Sequence, residues 1–151
     1  MSVISYTADA GRPHLPFIPY LEQWLPKAVE LIDLTPSEIS IALVGDTKMA
    51  ALHEQFMQVP GSTDVLTFEL DHNAQGPVTS GEIVVCVPYA RREAKRRKIR
   101  AEQEVLLYAL HGVLHLSGFD DLTPVDHQRM HDEEDRILEQ IGIGAVFRSA
   151  A

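Results

Sequence analysis

The stretch from Ala101 to Leu116 constrains the fold more than any other, because it is apolar almost all round a helix. Val105, Leu106, Tyr108, Ala109, Leu110, Val113, Leu114 and Leu116 leave no wide polar face on a spiral of about 3.6 residues per turn. Such a helix has to be central and buried, and Gly118 stands where a left-handed turn would end it. Strand patterns recur at Val3–Thr7, at Glu38–Val44, at Asp64–Phe68 and, most apolar of all, at Glu82–Val87. Helical patterns lie between and after them. One covers Tyr20–Leu34, with Pro26 early in it, and one follows Asp46 as N-cap with Met49, Leu52, His53 and Phe56. A basic helix runs from Pro88 to Lys98, and a last helix opens at Thr123-Pro124 and ends by Gly142. Asn73 to Ser80 reads as a loop. The expected fold is α/β (α+β): a single domain over residues 1–151, a small mixed β-sheet with helices packed on it. A chain of 151 residues can bury a core without staples, and the single cysteine, Cys86, reads as a small buried thiol in an apolar strand. No signal peptide and no run of about 18 apolar residues is visible. The expectation is therefore a cytoplasmic protein with no membrane association.

The buried helix carries two histidines where it can least afford unpartnered polar groups. His111 and His115 are four apart, so their rings project on one face, about 6 Å apart along the axis. That spacing suits two imidazoles on one metal ion, and burying two imidazoles without partners would cost a few kcal/mol. The turn after Gly118 can bring back Asp120 or Asp121. Two histidines and one carboxylate leave a tetrahedral ion one open position, the pattern of a catalytic site. Gly112 follows the first histidine, so the glutamate base of the His-Glu-x-x-His peptidases is missing. A residue that small lets another helix or a bulky substrate come close. His127 and His131 are also four apart, but among Asp126, Asp132, Glu133 and Glu134 they read as solvated, with a spare third ligand as the alternative.

Charge is unevenly spread. The net charge is −9, which argues against a general nucleic-acid binder. Yet Arg91, Arg92, Lys95, Arg96, Arg97, Lys98 and Arg100 fall within ten positions, directly before the metal helix. On charge alone, the set Arg91, Arg92, Lys95, Arg96 and Arg97 reads equally as a solvated helix face or as a surface for a polyanion.

The segment His111-Gly112-Val113-Leu114-His115-Leu116-Ser117-Gly118-Phe119-Asp120-Asp121 resembles the metal motif of the YbeY endoribonucleases, His-Gly-x-Leu-His-Leu-x-Gly-aromatic-Asp-His. Thr63 to Phe68 resembles that family's Thr-Asp-Val-Leu-Ser-Phe block, and Gly81 to Val85 resembles its Gly-Asp-Ile-x-Ile strand. The resemblance spans roughly Ser40 to Ile141. It implies a YbeY-like metallohydrolase domain, zinc-dependent and specific for single-stranded RNA, acting on ribosomal RNA in maturation and quality control with the ribosome or its small subunit as partner. Carried over by position, the ligands are His111, His115 and Asp121. Asp121 replaces the family's third histidine, which weakens the Lewis acid and shifts preference toward Mn or Fe. Met57 stands where the family has an arginine, removing a cation that could hold a phosphate. With the resemblance, the basic set Arg91, Arg92, Lys95, Arg96 and Arg97 becomes the candidate RNA-contacting surface. With the glutamate missing, no general base is assigned. The competing expectations are a catalytically weakened assembly factor that keeps a structural metal, and a metal-dependent hydrolase of another substrate such as a peptide.

Overall fold

The structure, a computed structural model, describes residues 2–9, 14, 16–74 and 76–149. In chain order its elements are β1 (Val3–Ala8), α1 (Phe17–Val29), β2 (Glu38–Val44), α2 (Asp46–Met57), β3 (Val65–His72), β4 (Val78–Cys86), α3 (Val87–Arg97), α4 (Ala101–Leu116), α5 (Pro124–Gln140) and a final turn α6 (Val146–Ser149). Alternation along the strands decides the layers. Ile39, Ile41 and Leu43 of β2 and Ile83 and Val85 of β4 point to one face of the sheet, where α1, α4 and α5 cover them. Val44, Val84 and Cys86 point to the other, under Met49 and Leu52 of α2. The strand order is β1-β2-β4-β3, with β3 antiparallel to β4 and the other pairs parallel, so the sheet is mixed as expected.

Helix α4 has the bounds its periodicity predicts, and it lies at the centre of the larger core. Its approach to the sheet depends on two glycines. A Cβ added at Gly112 would lie 2.6 Å from Ile83 Cγ2, and one at Gly81 would lie 2.5 Å from Leu116 Cδ2. Gly112 therefore admits strand β4, not another helix or a substrate.

Other boundaries differ from the sequence reading for local reasons. Helix α1 can begin at Phe17 because Pro19 falls in the first turn, where backbone N–H groups need no helical partner, and it ends at Val29. Pro26 is taken into the helix, and Glu30 N–H closes the end on the Pro26 carbonyl at 3.1 Å. Gly45, not Asp46, caps α2; Asp46 is its first residue, and its carboxylate accepts two hydrogen bonds from Arg92 at 2.7 and 3.0 Å. Strand β3 runs on to His72 through register shifts at Glu69–Asp71–His72, and β4 begins at Val78. The expected loop from Asn73 to Ser80 shrinks accordingly, with Gln75 outside the described residues. Thr123 caps α5 as expected, its Oγ1 accepting from Asp126 N–H at 3.1 Å.

Candidate metal centre

Helix α4 delivers His111 and His115 to the floor of a cleft of about 1030 Å³ between β3, α3, α4 and α5. The helix then ends in a reversal that needs glycine. Gly118 has φ +105°, its N–H donates to His115 O, and Phe119 N–H donates to Leu114 O at 3.0 Å. That turn carries Asp121 back over the rings. His111 Nε2 and His115 Nε2 are 3.0 Å apart, and Asp121 Oδ2 lies 3.8 Å from each. A point equidistant from these three atoms lies about 2.1 Å from each, within the range of zinc–nitrogen and zinc–oxygen bonds.

The hydrogen bonds of the other ring nitrogens leave both Nε2 atoms turned to this gap. His111 Nδ1–H donates to Glu134 Oε2 at 2.6 Å, and His115 Nδ1–H donates to the Phe119 carbonyl at 3.1 Å. With each Nδ1 carrying its proton, both Nε2 lone pairs face the same point. Two lone pairs 3.0 Å apart repel unless a proton or a metal ion sits between them. The donor set thus fits a borderline metal ion such as zinc. Burial pulls His111 down, but the hydrogen bond and charge of Glu134, with Asp121 and Asp64 behind it, leave its pKa raised. Burial and the neighbouring His111 push His115 down.

Sequence reasoning missed the groups that hold the first ligand. Glu134 is fully buried, and its second oxygen accepts from His131 Nδ1–H at 2.6 Å. Burial would raise this carboxyl, yet the two histidine hydrogen bonds leave it below the usual carboxylate range. His131 is not solvated: its side chain is 12% exposed and its ring stacks on Phe147. Only His127 of that pair is exposed. A signal was present in the sequence, because Met130, Glu134, Ile137 and Leu138 share the buried stripe of α5 at helical spacing. His111, His131 and Glu134 also gather closely enough to hold an ion, but both carboxylate oxygens there already accept short hydrogen bonds.

The basic helix is divided by its own geometry. Arg96 and Arg97 line the cleft with Tyr89 and Glu93. Arg97 is withdrawn from solvent, 11% exposed, and its guanidinium donates to both oxygens of the buried Glu104 at 2.7 and 2.8 Å. Burial raises the Glu104 carboxyl against the pull of that guanidinium. Arg91 lies over the Phe17 ring at 5.0 Å, Arg92 binds Asp46, and exposed Lys95 is not among the residues lining the cleft. Met57 lines the cleft at the end of α2. Asp120 also lines it, but its Oδ1 accepts from Leu122 N–H at 3.3 Å within the turn.

The family described as Endoribonuclease YbeY matches residues 17–142, the span that contains His111, His115 and Asp121. The chain belongs to the YbeY family. It is similar to a protein named Endoribonuclease YbeY from Thermobifida fusca (strain YX), 36% identical over 109 residues covering 68% of this chain and 70% of that one. A Mycobacterium tuberculosis (strain ATCC 25618 / H37Rv) protein of the same name is 34% identical over 119 residues, covering 72% and 67%. The solution structure of TM1509 from Thermotoga maritima superimposes with a TM-score of 0.59 and 26% identity, over 99% of this chain and 93% of that one. Among the described residues of this YbeY-family chain, no helix is long and apolar enough to cross a membrane.

Proposed function

We propose that this YbeY-family chain is a metal-dependent endoribonuclease specific for single-stranded RNA. In this reading it acts in the cytoplasm on ribosomal RNA, in maturation and quality control at the ribosome or its small subunit. The observation that carries it is the convergence of His111 Nε2, His115 Nε2 and Asp121 Oδ2 on one point at the floor of an open cleft. These residues would hold zinc, and a carboxylate in place of a third imidazole also suits Mn or Fe. When bound, the ion supplies Lewis-acid polarisation of a phosphate oxygen or a water. The protein's part is positional. Glu134 and the Phe119 carbonyl fix the two rings with Nε2 toward the cleft. Arg96, at the rim, can take a phosphate in place of its present partner Glu93, whose Oε2 accepts from Arg96 Nε at 2.6 Å. Gly112 leaves no glutamate after the first ligand, and no general base is assigned.

The observation favouring a catalytically weakened assembly factor is the charge of the cleft. Among the described residues, Asp64, Glu69, Glu93, Glu104, Asp120, Asp121 and Glu134 line it against Arg96 and Arg97, with uncharged Met57 at the rim. Cleavage of a labelled single-stranded RNA with zinc or manganese, run beside His111→Ala, separates the two readings. Activity that vanishes in the variant is expected. Equal background in both proteins would leave a fold that binds without cleaving.

A further inference from the structure

We propose that the C-terminal turn at Phe147 is part of the support of the metal centre. Phe147 holds the ring of His131, His131 and His111 together hold Glu134, and Glu134 keeps the His111 ring turned with Nε2 toward the ion. The inference rests on the metal centre of the preceding reading, but not on any reaction there. Each link has its own geometry. Glu134 is a charged group with no exposed surface, and its two oxygens each accept one 2.6 Å hydrogen bond, from His111 Nδ1 and from His131 Nδ1. Remove either donor and half of a buried carboxylate loses its partner, which drives the side chain to another rotamer. His131 cannot follow such a movement while Phe147 is in place. The two rings lie parallel, 3.7 Å between centroids and 4° between planes, and the His111 ring is 5.9 Å from that of His131.

Phe147 is itself tied down. Its N–H donates to Asp135 Oδ1 at 3.0 Å. Its carbonyl and that of Val146 accept from Arg97 Nη2 at 3.1 and 3.3 Å, and Arg97 is anchored on buried Glu104. This gives the withdrawn arginine of the basic helix a positioning role. Phe147 also lies beyond residue 142, where the match to the family ends. The far end of the support is therefore read from this chain's own geometry and not from the family pattern.

The test measures the zinc dissociation constant of the full chain by competition with a chromogenic chelator. The variants are Glu134→Gln, Phe147→Ala and Phe147→Tyr, with thermal unfolding of each metal-free protein alongside. Partners of this kind typically carry about 10- to 100-fold in metal affinity, and Glu134→Gln is expected in that range. Phe147→Ala should lose less, though at least about threefold, and Phe147→Tyr, which keeps the ring, should stay within about twofold of the parent protein. Should Glu134→Gln fail to fold, the two Phe147 variants decide alone. A Phe147→Ala protein that unfolds earlier but binds zinc as tightly as the parent overturns the proposal, because Phe147 then serves the fold only. Unchanged zinc affinity in a folded Glu134→Gln overturns it too. A parent protein that takes up no zinc overturns the metal centre and its support together.

Discussion

Asp120 and Asp121 are neighbours of identical chemistry, and only their surroundings separate them. Asp121 Oδ2 is 3.8 Å from both Nε2 atoms, whereas Asp120 caps its own turn through Leu122 N–H. Asp121→Ala should therefore lose the metal on dialysis against buffer, while Asp120→Ala keeps most of it, as read by metal content per chain. The reverse pattern would remove Asp121 from the site. At this scale the sequence was legible where chemistry is tied to spacing: His111 and His115 are a helical turn apart, and spacing alone put their rings together. Glu134 was not legible in the same way. It sits in a run of acids, Asp132 to Asp135, whose composition suggests water. What distinguishes it is a place on the stripe of Met130, Ile137 and Leu138, and composition does not register that. Asp121 needed the resemblance, because a turn lets either carboxylate return and fixes no choice between them.

Elements are held at fixed distance by what is missing from them. Gly112 lies in the middle of α4, where alanine has the higher helix propensity by about 1 kcal/mol. Its Cβ would nonetheless meet Ile83 Cγ2 at 2.6 Å, Cγ1 at 2.8 Å and Cδ1 at 2.9 Å, on a strand bonded to neighbours on both sides. Overpacking a core typically costs about 1–3 kcal/mol, so Gly112→Ala should destabilise the fold by up to about 2 kcal/mol despite the better propensity. Urea unfolding measures the difference, and an unchanged or raised midpoint would show that α4 has room to shift. Helix α4 and β2 were read with their observed bounds because a buried element repeats its apolar residues without interruption. The edge was harder to read. Glu69, Asp71 and His72 extend β3 with polar side chains because one edge of that strand has no partner among the described strands, so alternation fades where burial does. Asp46 has N-cap chemistry but is used to tie α2 to Arg92 of α3.

The whole molecule carries −9, and any polyanion reaching the cleft has to do so against that field. From the sequence, five basic residues on one helix promise a broad phosphate-binding face. The fold spends most of them elsewhere: Arg91 on Phe17, Arg92 on Asp46, and Arg97 on Glu104 and the C-terminal turn. Arg96 is left at the rim of the cleft, 69% exposed and partnered by Glu93, a carboxylate that an RNA phosphate can displace. Charge clustering is visible in a sequence, but the direction each side chain takes around a helix is set by the elements packed beside it. The difference can be counted. For single strands, the slope of log K against log salt is about −0.7 per phosphate neutralised. Five contacts would give a slope near −3.5, and one or two give about −0.7 to −1.4. Binding of a non-cleavable single-stranded RNA analogue, followed by fluorescence anisotropy across a salt series, should show the shallow slope. Arg96→Ala should reduce its magnitude by about 0.7 and weaken binding, while Lys95→Ala leaves it nearly unchanged. A slope steeper than about −3 would mean that the whole basic helix lies along the RNA, and that Arg91 and Arg92 leave their present partners to reach it.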